Sequence, residues 1–178
     1  MLGDYSQAFM THGPWIVFVF LFGACVGSFI NVVNWRMPRG MSLSHPPSRC
    51  PICGGRLRFF RENLPILGWI LLKGKCRYCR ARIHPVYPIT EFVVALAFVG
   101  LYYCLFMSTP SQTWWWEVGG QWWVRQGFLL GWPAFFAVAF LFVGLYSITV
   151  IDARTFMIPL AIPVFITCAA VALWCAQD

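Results

Sequence analysis

The chain has 178 residues, of which 60% are apolar and 11% charged, whereas soluble domains sit near ~45–50% apolar and ~25% charged. With a mean hydropathy of +0.68, these figures exclude a water-soluble globule and a disordered chain. The net charge is +7, and 11 of the 13 basic residues lie between Arg36 and Arg82, where Glu62 is the only acid. That pattern describes a polytopic membrane protein with one basic, solvent-facing loop.

In chain order, four stretches reach the ~17–25 residues that a spanning helix needs. They are Ile16–Trp35, Val86–Met107, Phe128–Ile151 and Thr155–Cys175. The first has no basic residue before it and no small-residue cleavage site after it, so it reads as a retained helix rather than a secretory signal. The basic loop between the first two spans is predicted to be cytoplasmic, because positive charge stays on that side. By alternation the N-terminus and the Ser108–Gly127 loop face outward, and Trp114, Trp115, Trp116, Trp122 and Trp123 suit a membrane–water interface. The turn Asp152–Arg154 returns to the side of the basic loop. No internal repeat is apparent.

The eight cysteines divide into two kinds. Cys25, Cys104, Cys168 and Cys175 lie in apolar spans and are expected to be inert packing residues. Cys50-Pro-Ile-Cys53 and Cys76-Arg-Tyr-Cys79 are two CxxC pairs separated by 22 residues. Two tight turns offering four thiolates suit a tetrahedral zinc site with no open position, hence a structural one. Gly54-Gly55 lets the chain turn away from the first pair. A cytoplasmic loop is kept reduced, which argues against disulfides. No His follows either pair, which argues against haem attachment. An iron centre and a metal-free reduced loop stay open as alternatives. Arg49, Arg77 and Arg80 would offset the charge of a four-thiolate metal. The loop's basic charge follows from topology and anionic lipid, so no nucleic-acid partner is expected.

Among the six acids, Asp4, Glu117 and Asp178 fall in outward termini or loops. Glu62 has many arginines within reach, and Glu91 lies in the second span, where an ionisable side chain needs a partner. Asp152 closes an uncharged span and precedes another with Pro159 and Pro163 near its start. Each proline would leave a carbonyl four residues earlier, at Thr155 and Pro159, without its helical donor. The fourth span is therefore expected to begin irregularly, as is tolerated beside a wet cavity. A carboxylate there is a candidate proton acceptor or water activator. The alternative is a loop aspartate paired with Arg154.

The motifs GSFINVVNWRMP (Gly27–Pro38), SRCPICGG (Ser48–Gly55), ENLPILGWILLKGKCRYC (Glu62–Cys79) and HPVYPITE (His84–Glu91) together resemble the front half of bacterial type IV prepilin peptidases. These are membrane aspartyl peptidases that process type IV pilins and type II secretion pseudopilins. Ile151-Asp152 followed by Ile158-Pro159 resembles the segment with the family's first catalytic aspartate. The resemblance makes Asp152 that aspartate, and Cys50, Cys53, Cys76 and Cys79 the metal ligands. Glu62 and Glu91 fall on recurrent family acids without an assigned role. It also implies cleavage of a basic leader from a prepilin or pseudopilin precursor on the cytoplasmic side, in the bacterial inner membrane. N-methylation with S-adenosylmethionine is implied by kinship alone, since no glycine-rich methyl-donor loop is visible. The family's second aspartate lies in a Gly-x-Gly-Asp motif that this chain does not contain, and Asp178 would sit ~30 Å from Asp152.

The expectation is an all-α polytopic membrane protein of about four transmembrane helices with a small cytoplasmic zinc-ribbon-like insert. Residues 1–35 form the tail and first helix, 36–85 the four-cysteine loop, and 86–178 the remaining helices with the Asp152 turn. Its partners are a prepilin substrate, membrane lipids, and a second subunit or missing C-terminal part that supplies the other aspartate. The chain thus reads as an amino-terminal part, a split subunit or a degenerate relative. The alternatives are a non-catalytic membrane adaptor with a structural zinc loop and a membrane-tethered zinc ribbon that binds nucleic acid.

Overall fold

The computed structural model describes residues 2–45, 47–107, 121–156 and 158–175. Six helices carry it: α1 (Leu2–Arg36), two short helices α2 (Phe59–Glu62) and α3 (Leu67–Leu71), α4 (Val86–Tyr102), α5 (Gln121–Thr155) and α6 (Ala161–Cys175). A π-helical turn, Tyr103–Met107, prolongs α4. Among the described residues the β-structure amounts to two isolated antiparallel bridges, Arg49–Arg56 and Lys75–Arg82.

Among the described residues, three helical segments are long and apolar enough to cross a membrane: Met10–Arg39, Val86–Met107 and Gln126–Thr155. The second coincides with the predicted span. The first starts before Ile16, because the helix runs on through Thr11, His12 and Pro14. The His12 imidazole there meets the Tyr102 hydroxyl at 2.9 Å. The predicted fourth span is shorter than expected. Its helix begins at Ala161, leaving 15 residues, or ~22 Å at 1.5 Å per residue. Phe156 (φ 53°) breaks the helix and caps α5 by donating its N–H to the Asp152 carbonyl at 2.8 Å. The Pro159 carbonyl expected to lack a donor accepts from Ile162 N–H at 3.1 Å. Pro163 falls in the first turn of α6, where its missing N–H costs nothing.

Part of the predicted outward loop is helical instead. Residues from Gln121 already belong to α5, which turns at Gly127 (φ 66°, ψ 175°), a conformation that favours glycine. Trp114, Trp115, Trp116, Glu117 and Asp178 lie outside the described residues.

The core is shared by α1, α4 and α5. Val19, Ile30, Val94, Phe98, Tyr102, Leu105, Phe128, Phe135 and Ala139 are buried in one cluster. Its aromatic rings meet edge-on, as in Phe128–Phe135 at 5.5 Å and Tyr102–Phe128 at 5.4 Å between centroids. A second cluster joins Val33, Ile151, Ile162 and Ile166, with Met37 and Leu43 against it. The C-terminal ends of α1 and α5 therefore share one end of the bundle, where residues 37–85 emerge. Cys25, Cys104, Cys168 and Cys175 are exposed rather than packed in this core. A spanning helix turns its outer face to lipid, so an apolar span does not dictate which thiols are buried.

The α1–α4 pair has the most extensive helix interface, and two glycines one turn apart explain its closeness. A Cβ on Gly23 would lie 2.9 Å from Ala95 Cα, and one on Gly27 would lie 2.8 Å from Glu91 Cα. This is a small-xxx-small crossing, in which backbones approach because no side chain separates them. Gly27→Val is expected to destabilise the protein by at least about 1–3 kcal/mol, the usual cost of overpacking, because backbone must move. Thermal unfolding in detergent checks this, and an unchanged midpoint would mean the helices do not cross there.

Candidate metal centre and the cavity beside it

Each CxxC pair folds as a closed turn, and the two turns are built alike. In the first, Gly54 N–H donates to the Cys50 carbonyl and Cys50 N–H to the Gly55 carbonyl, both at 2.9 Å. In the second, Arg80 N–H donates to the Cys76 carbonyl at 3.0 Å and Cys76 N–H to the Ala81 carbonyl at 2.8 Å. Gly54 (φ 69°) and Arg80 (φ 60°) hold the same left-handed position after the second cysteine. One antiparallel bridge closes the base of each turn. Sequence reading missed this two-fold repeat, because glycine and arginine share the special position.

The turns face each other and bring the four sulfurs together. All lie within 4.8 Å of one another, with Cys50–Cys79 at 3.8 Å and Cys53–Cys76 at 3.9 Å between Sγ atoms. Disulfide sulfurs would be ~2.05 Å apart. A tetrahedron with metal–sulfur bonds of ~2.3 Å has edges of ~3.8 Å, so the cluster fits a zinc-sized ion held by thiolates alone. Backbone N–H groups of Cys53 and Ile52 outweigh desolvation and hold the Cys50 thiol down to about 6. At Cys79 the Ala81 N–H favours the thiolate, but desolvation and the neighbouring sulfurs prevail and push it up to about 11. Cys79 thus holds a proton that a bound cation would displace.

Glu62 ties the second turn to the rest of the insert. Its side chain is buried and accepts from the Arg77 guanidinium at 3.1 Å and the Arg58 N–H at 3.1 Å. Burial alone would push its carboxyl up, but the Arg58 N–H and the Arg77 guanidinium prevail and hold it below the usual carboxylate range. Arg77, expected to offset the charge of a four-thiolate metal, therefore pairs with Glu62. The base of the same turn is fixed by Trp69, whose indole N–H donates to the Ile83 carbonyl at 3.0 Å. Glu91, the acid expected to need a partner, accepts the Ile66 N–H at 2.6 Å.

A cavity of about 400 Å³ lies between this insert and the crossing of α1 with α4. Asn31 and Trp35 line it from α1, Glu62 and Trp69 from the insert, and Tyr87 and Glu91 from α4. Its volume falls within the ~300–1,000 Å³ of small-molecule sites. Sequence reading gave no sign of it.

Asp152 stands apart from both features. It is exposed near the end of α5, next to buried Ile151, and does not line the cavity. Ile151 packs near Met37 and Leu43, so Asp152 lies at the end of the bundle that carries the insert. Its carboxylate has no ion pair with Arg154 among the described residues.

Residues 21–105 match the family model described as Bacterial Peptidase A24 N-terminal domain. The chain is 46% identical over 87 residues to the prepilin leader peptidase/N-methyltransferase of Myxococcus xanthus, covering 48% of this chain and 26% of that one. It is 38% identical over 117 residues to the type 4 prepilin-like proteins leader peptide-processing enzyme of Escherichia coli, covering 56% and 42%. With the prepilin leader peptidase/N-methyltransferase of Dickeya chrysanthemi, identity is 30% over 169 residues, covering 82% and 50%. The chain thus spans half or less of the length of these relatives. No solved structure matches it.

Proposed function

We propose that this chain, whose residues 21–105 match the bacterial peptidase A24 N-terminal domain, contributes a metal-stabilised insert and one catalytic aspartate to a prepilin leader peptidase. The observation that carries the reading is a convergence. The four-sulfur cluster lies within the matched domain, and Asp152 lies exposed at the same end of the helix bundle.

Peptide hydrolysis by carboxylates needs two of them, one ionised to deprotonate water and one protonated to polarise the carbonyl. Asp152 is the carboxylate this chain offers, exposed and with no cationic partner among the described residues. The second carboxylate must come from a longer form of the chain or from a partner. The substrate is a prepilin or pseudopilin precursor, presented to Asp152 at the cytoplasmic face of the inner membrane. Cys50, Cys53, Cys76 and Cys79 would hold zinc as a closed structural centre, fixing the insert without touching the scissile bond. The cavity beside the insert suits S-adenosylmethionine in size, with Trp35, Trp69 and Tyr87 offering ring faces. When bound, that molecule supplies the methyl group for the new N-terminus.

The test pairs this chain with the remainder of a relative, by fusion or co-expression, together with a prepilin. Leader cleavage is expected from the pair and not from this chain alone. Cleavage by the chain alone would rule out the two-aspartate mechanism.

A further inference from the structure

The backbone at Ile66 has φ 61° and ψ −54°, outside the regions ordinary for a residue with a side chain. Leu67 N–H closes onto the Pro65 carbonyl at 2.5 Å, making a three-residue γ-turn of the rare, strained hand. A β-branched residue is especially disfavoured at positive φ. Such a conformation persists only where its surroundings hold it.

Two anchors hold this turn. Behind it, Glu62 is fixed by Arg77 and by the Arg58 N–H, and Gly68 packs so closely that a Cβ there would lie 2.6 Å from the Glu62 carbonyl oxygen. In front, the Ile66 N–H is taken by Glu91 Oε2 at 2.6 Å. At that separation the hydrogen bond is short for an N–H to oxygen contact. Glu91 is itself immobilised, because α1 touches α4 backbone to backbone at Gly27. The acceptor is therefore fixed to the helix pair while the donor belongs to the metal insert.

We propose that Glu91 is a positioning residue whose carboxylate latches the strained turn at Ile66, docking the metal insert on α1 and α4 and setting the shape of the cavity between them. The latch stands on geometry alone, and only its effect on turnover rests on the enzymatic reading above. It gives this acid a role that consumes no proton and touches no reacting atom.

Hydrogen exchange on this chain in lipid nanodiscs, co-expressed with the remainder of a relative and with metal content measured for each variant, tests the latch. Glu91→Ala is expected to accelerate exchange across residues 63–72 by roughly tenfold or more, with metal retained. Glu91→Gln keeps an acceptor oxygen and should stay within about threefold of the parent. Adding Ile66→Gly to Glu91→Ala should restore slow exchange at residues 68–72, since glycine adopts this φ without a latch. Leader cleavage should fall with Glu91→Ala and return in the double variant, which no loss of a reacting carboxylate would allow. Unchanged exchange in Glu91→Ala would overturn the latch, as would failure of Ile66→Gly to restore protection. So would metal loss with exchange spread over residues 37–85, or activity lost in Glu91→Gln at parental exchange. Should the parent protein cleave no leader, exchange still decides the latch.

Discussion

Asp152→Asn is expected to reduce leader cleavage by about 10²–10⁴-fold or more in a protein that also holds the second aspartate, the range that proton transfer by a placed side chain supplies. The substitution removes a charge and almost no volume. Because the Asp152 side chain is exposed and has no partner among the described residues, stability should stay within about 0.5 kcal/mol of the parent. Activity and folding are therefore separable at this position. Asp152→Glu should be poor as well, since one methylene displaces the carboxylate by about an ångström and reaction geometry tolerates little. Membrane insertion and metal content, measured alongside, should not change. Full cleavage by the asparagine variant would end the aspartyl reading and leave the membrane adaptor as the better description.

Removal of the metal should have the largest effect on the insert. One zinc per chain is expected, and chelation should unfold residues 37–85 while leaving the α1–α4–α5 core in place. That core is built from Val19, Phe98, Phe135 and their neighbours, none of them in the insert. A structural zinc in small domains contributes about 10–16 kcal/mol of apparent binding energy, which is folding energy for the segment that holds it. Cys76→Ser should be the most damaging single change, because Cys76 is the one buried ligand, 2% exposed. Its loss should lower metal occupancy and protein level more than cleavage per folded molecule. Metal analysis finding none in the purified protein, with four freely reactive thiols, would remove the zinc assignment.

The four-cysteine cluster shows where local sequence suffices. A CxxC turn closes within six residues through its own backbone hydrogen bonds, so four cysteines in two such pairs already specify a four-sulfur cluster. Hydropathy is likewise a local property, and the span Val86–Met107 was legible for that reason. Helix ends were less so. The first helix runs past the apolar stretch, and α6 starts late because Phe156 takes a positive φ beyond Asp152.

Sequence by itself determined that the chain is helical, apolar enough for a membrane, interrupted by one basic four-cysteine insert, and similar to a peptidase family. The tertiary structure alone decided what meets what. Gly23 and Gly27 are visible in the sequence, but that they face Ala95 and Glu91 is not. Neither the bond from Ile66 to Glu91, 25 residues away, nor the cavity beneath it follows from any local pattern. Composition and turn chemistry are sums over neighbours in the chain, whereas a helix crossing is set by which faces pack. Hydrogen bonds between such faces form only after that choice has been made.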